Sequence, residues 1–206
     1  MVQWFRRLGE IPGVTLGGIP EVDASRQPGY GAVPEVHTSR YEGKVHESLS
    51  WPDGNAFYSS ASPAHNVAFG DLREPRVLST DRLLECLYQG LSLPGEPSDY
   101  HFMILSCVQE LWRRRHGEPD VLEKLERLCW LDVDLVEACP DAVTNENMEG
   151  CFYEVPAFSI LADMYEREGA INEAFAVTER AAPFGQLAER RQQLAQRIAA
   201  VEQEVA

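Results

Sequence analysis

Ser59, Ser60 and Ser62 stand within six residues of His65, so a nucleophile and a base share one short segment. A hydroxyl needs such a base to attack a carbonyl or phosphoryl centre. No G-x-S-x-G elbow surrounds these serines, however, and serine-rich loops are common without chemistry. The other histidines, His37, His46, His101 and His116, form neither H-E-x-x-H nor H-x-H, so no metal site is expected. Gly17-Gly18 lacks the following Gly-Lys-Ser/Thr of a phosphate loop, and no cofactor motif is present.

Carboxylates are abundant. Asp132, Asp134, Glu137, Asp141, Glu146 and Glu149 lack the alternation and the glycine of a calcium loop and read as a solvated acidic face. Arg113-Arg114-Arg115 is the one basic run, placed to complement the dipole at a helix end. The chain of 206 residues carries a net charge of −15, unevenly spread. Residues 1–80 hold nine acids and seven bases, and residues 81–206 hold 24 acids and 11 bases. Such a field repels phosphate backbones, which argues against nucleic acid as a ligand of the second part. Sixteen of the eighteen bases are arginine, a mark of a GC-rich, bacterial-type genome.

No run approaches the ~18 apolar residues of a membrane span, and Met1–Leu8 has no apolar core of a secretory signal. The cysteines are Cys86, Cys107, Cys129, Cys139 and Cys151, an odd number without C-x-x-C spacing. They read as buried free thiols of a cytoplasmic protein. Nothing in the sequence sets an oligomeric state.

The elements that must position these groups change character near residue 80. Residues 1–79 are rich in Gly, Pro and Ser and read as a β/loop region. Lys44–Trp51 alternates as a strand, and Asn55–Tyr58 is its expected hairpin return after the Pro52-Asp53-Gly54 turn. A 14-residue segment is duplicated: residues 17–30 and 31–44 share seven of fourteen positions in the pattern G-x-[IV]-P-E-V-x-x-S-R-x-x-G. Each copy is expected to be a strand-turn unit, the sharper alternative being a tandem linear motif that presents Arg26 and Arg40 equivalently.

Residues 80–206 take a helical period, giving an α+β fold class overall. Thr80 and Ser98 are the expected N-caps of two helices, Gly90 closes the first and Gly117 the second, and Pro119 to Pro140 bounds a third. Gln186–Val205 carries Leu187, Leu194, Ile198, Val201 and Val205 in a stripe that suits a capping helix or a short coiled coil.

Phe158, Leu161, Ala162 and Tyr165, a turn at Gly169, then Ala174 and Ala181 resemble one tetratricopeptide repeat over residues 157–183. Thr178 in place of an aromatic and an early Pro183 depart from the pattern. The resemblance implies a helical-hairpin array and a role in holding other proteins. Its concave face would fall on Ser159, Asp163, Glu166 and Arg167, and those acids favour a basic protein or peptide as the partner. The expected function is therefore a non-enzymatic interaction module or adaptor. A different class, a small hydrolase with its site between the Ser/His loops and the helices, is the alternative, and an acidic decoy of a nucleic-acid-binding surface is a third.

Overall fold

Alternation places Val45, Glu47, Leu49 and Trp51 on one side of the strand Lys44–Pro52 (β2). Only its second half reaches the body: Leu49 and Trp51 are buried, whereas Val45 is 56% exposed. In the computed structural model, which describes residues 2–41, 43–52, 58–118, 120–144 and 151–205, β2 is the centre of a three-stranded antiparallel sheet. Glu35–Tyr41 (β1) pairs along it from Glu35 opposite Ser50 to Tyr41 opposite Lys44, and Tyr58–Ser59 (β3) pairs at its end. Most of the expected Pro52–Tyr58 turn and return lies outside the described residues. Trp4 meets the Trp51 ring edge to face at 5.7 Å and closes the inner end of the sheet.

Between sheet and helices the chain is more helical than a loop. Ser62 caps the short helix Pro63–Asn66 (α1), its Oγ accepting from the His65 N–H. A π-type turn, Val67–Asp71, and a 3-10 turn, Pro75–Val77, follow.

The long helices are Thr80–Leu91 (α2), Pro97–Arg114 (α3), Val121–Ala138 (α4), Pro156–Arg167 (α5), Ile171–Ala181 (α6) and Ala188–Val205 (α7). The fold is thus α+β, a small antiparallel sheet followed by stacked helices. Three expected helix ends shift. Ser79, not Thr80, caps α2, while the Thr80 hydroxyl donates to Glu118 and accepts from Arg114. Glu96, not Ser98, caps α3, because Pro97 then takes the first helical position and Asp99 closes a reciprocal capping box. Gly90 lies inside α2, where a β-carbon would stand 2.4 Å from the Met103 sulfur. The glycine lets α2 and α3 approach instead of ending a helix. Pro119 lies outside the described residues.

Successive helices pack in chain order, α3 on α4, α4 on α5, α5 on α6 and α6 on α7. The α4 helix is buried over a wide face, from Leu125 and Leu128 through Val133, Leu135 and Val136, as its apolar spacing predicts. Leu8, Ile11, Val14 and Ala24 join the same buried cluster as these helices. All five cysteines are free; burial pushes the Cys107 and Cys129 thiols well up, which leaves them unreactive. Among the described residues no helix is long and apolar enough to cross a membrane.

Candidate functional site

The α5–α6 hairpin forms where the sequence places small residues against a turn. Gly169 takes φ +78°, a left-handed position that a side chain rarely adopts, and Ile171 restarts the helix. Leu161, Ala162, Ala174 and Ala181 are fully buried, so the two helices meet closely. Tyr165 does not lie between them. It is half-buried and faces α4, donating to Glu126 at 2.5 Å and accepting from Trp130 Nε1 at 2.9 Å. Burial, and then the Glu126 carboxylate, push its hydroxyl up to about 12.

Of the four residues on the expected concave face, three are engaged by α7, two through their carboxylates and one through its backbone carbonyl. Arg190 Nη2 lies 2.6 Å from Asp163 and its Nε 2.5 Å from Glu166, whose second oxygen takes Arg197 at 2.9 Å. Arg190 also donates to the Ser159 carbonyl at 3.4 Å, while the Ser159 hydroxyl turns back onto Pro156 O. The fourth residue, Arg167, stands 5.3 Å over the Trp112 ring, beside Arg115 at 3.7 Å from the same ring. The arginines on α7 escaped the sequence reading, although their seven-residue spacing sets both on one helix face. Arg190 bridges the two carboxylates, which lie three residues apart on α5, and Arg197 reaches the second of them.

The acidic stretch of the chain is similarly self-complemented: Asp134 and Glu137 hold Arg180, and Glu123 holds Arg127. Asp132 is buried and takes His101 Nδ1 at 2.7 Å, its Oδ2 lacking a partner among the described residues. Glu146 and Glu149 lie outside the described residues. Among the described residues, no three His, Cys, Asp or Glu side chains are grouped to hold a metal ion.

The duplicated segments take different conformations. Residues 17–30 run as turns, with the Asp23 carboxylate accepting from Ser25 N–H and Ala24 3% exposed in the core. In the second copy His37 and Thr38 replace these two residues, and the segment extends as β1 with every side chain exposed. Arg26 and Arg40 are both exposed, one on a turn and one on a strand, so the expected pair of like strand-turn units is not formed.

Ser62 and His65 do meet a carboxylate, one that the sequence reading missed. Asp99 of α3 accepts from Ser62 Oγ at 2.7 Å and from Glu96 N–H at 3.0 Å, and lies 3.1 Å from His65 Nδ1. The hydroxyl proton is thus committed to Asp99 rather than to the imidazole, and Ser62 is 1% exposed. This wiring belongs to two interlocked helix caps. The signal for it was Glu96-Pro97-x-Asp99 at the head of an apolar helical run. Burial, and then the charge of Asp99, push the Glu96 carboxyl up to about 7.

The chain matches no protein-family model, no curated protein and no solved structure.

Proposed function

We propose that this chain is a non-enzymatic interaction protein whose α5 carboxylates receive the arginines of a basic protein segment. The observation that supports the reading is the grip of Asp163 and Glu166 on Arg190 and Arg197. It is an instance, within the chain itself, of arginines on one helix face recognised by carboxylates on another. The α7 helix is lightly held: Leu194 is its one fully buried residue among those described. The chain enters it through Gly185 and Leu187, both at positive φ, and Leu187 at +57° is strained. A basic helix of a partner competes for the same carboxylates when α7 shifts.

A peptide with the sequence of residues 186–200 is the probe. It is expected to bind the full chain with an on-rate that falls as salt rises, and D163K combined with E166K should abolish binding while the helical circular dichroism persists. An on-rate indifferent to salt and to the charge reversal would remove the proposal. The hydrolase alternative draws on the meeting of Ser62, His65 and Asp99. It requires ester turnover by the parent that is lost in H65A.

A further inference from the structure

One groove uses residues that none of the contacts above employ. Between the Val67–Asp71 turn, the Pro75–Val77 turn and the outer face of α3 lies a cavity of about 370 Å³, within the range of small-molecule sites. The wide turn, in which Leu72 N–H donates to Val67 O, buries Leu72 and leaves Phe69 outward and 50% exposed. Such π-type turns recur at functional sites. The Phe69 ring stands 5.8 Å from Phe102 and is backed by His65, whose ring lies 4.4 Å away at a tilt of 31°.

The rim is cationic. Arg73, Arg76 and Arg113 line it. Arg113 is satisfied by Glu110, which also takes Arg114. The side chains of Arg73 and Arg76 make no hydrogen bond or ion pair with any described residue. Arg82, Arg127, Arg180, Arg190 and Arg197 each hold a carboxylate. Arg26, Arg40 and Arg191, like Arg73 and Arg76, hold none among the described residues, so the aromatic wall is what sets this pair apart. In a chain of net charge −15, two unpaired guanidinium groups beside an exposed aromatic wall are complementary to an external anion. Asp71 and Glu74 flank them in sequence, but only Glu110 among the acids lines the groove, and its charge is spent on two arginines.

We infer that this groove binds a small aromatic anion, its ring against Phe69 and Phe102 and its carboxylate or phosphate on Arg73 and Arg76. Guanidinium groups take either anion in paired hydrogen bonds, and an aromatic face adds stacking that a bare ion cannot use. The site is remote in sequence from α5 and α7 and does not depend on the interaction role proposed for them.

Calorimetric titration of the full chain with phenyl phosphate, benzoate, phenol and inorganic phosphate tests the site. Phenyl phosphate or benzoate should bind saturably and roughly tenfold or more tighter than phenol or inorganic phosphate, and the tighter of the two identifies the anion. R73Q combined with R76Q, at two exposed positions, should weaken that binding by about tenfold or more with an unchanged melting temperature. F69A should weaken the aromatic anions and leave inorganic phosphate unaffected. Failure of both aromatic anions to saturate at millimolar concentration, or parent-like binding by the double variant, overturns the inference.

Discussion

Glu96 holds its proton to about pH 7 because its carboxyl is partly buried beside Asp99. The sign of the consequence follows from linkage. The unfolded chain releases this proton near the usual 4.5 and the folded chain near 7, so stability falls as pH rises through that window. E96Q keeps an acceptor for the Asp99 N–H and has no proton to lose. Denaturant unfolding of E96Q between pH 4.5 and 7 should therefore show a flatter profile than the parent, and parallel profiles would refute the assignment. Glu110 behaves in the opposite sense. Arg113 and then Arg114 hold its carboxyl down to about 2, so its contribution is present above the usual carboxylate range and disappears in acid. Arg114 is the firmer of its two partners, donating also to Thr80 Oγ1 and to the carbonyls of Pro75 and Leu78. Its side chain is 9% exposed, and R114A should cost about 2–4 kcal/mol in urea unfolding, since the buried Glu110 and several part-buried acceptors lose their donor. The sequence showed Arg114 as one of three arginines at a helix end. Only the fold separates them, one on Glu110, one stitched into the start of α2, one over Trp112.

The duplicated segment shows at the level of elements how little a shared pattern fixes. Both copies carry P-E-V-x-x-S-R, yet one is turn and one is strand. The two residues that differ in the middle account for it. Asp23 accepts from a backbone N–H two residues on and Ala24 fits a buried site, whereas His37 offers no carboxylate for that turn and Thr38 would bury a hydroxyl. A24T should then cost about 1–3 kcal/mol, while T38A, on an exposed strand, should change the melting temperature little. Equal effects at the two sites would show that the copies are interchangeable. The helical hairpin was legible because its small residues and its glycine are dictated by close approach and by a left-handed turn. Ala174 is fully buried there, and A174W should cost about 1–3 kcal/mol by overpacking. A variant that melts like the parent would contradict the contact. The partners of Asp163 and Glu166 were not legible, because α7 follows α5 by some twenty residues and nothing local states which face it presents.

At the scale of the whole molecule, buried apolar residues from before Thr80, among them Leu8, Ile11, Val14 and Leu72, share one cluster with those after it, while Leu49 and Trp51 of β2 are buried outside that cluster. Leu8 is fully buried and Ile11 is 2% exposed. Calorimetry of the full chain should accordingly give one cooperative transition, and L8A should lower it throughout by about 2–5 kcal/mol rather than melt one part alone. Two separable transitions would show instead that the chain divides near residue 80.

The charge of the chain, −15, was fixed by composition. So were the change from β-leaning to helical period, the wide apolar face of α4 and the hairpin at Gly169, because each rests on interactions within a few residues. What only the tertiary structure decided is where the charges go. Of the acids read from sequence as a solvated face, Asp132 is taken by His101 and Asp134 and Glu137 by Arg180, and on the expected concave face Asp163 and Glu166 are taken by α7. Arg73 and Arg76 are left beside an aromatic groove. Ion pairs between distant segments depend on which helix faces meet. That choice belongs to the packing of the whole core, and no local pattern encodes it.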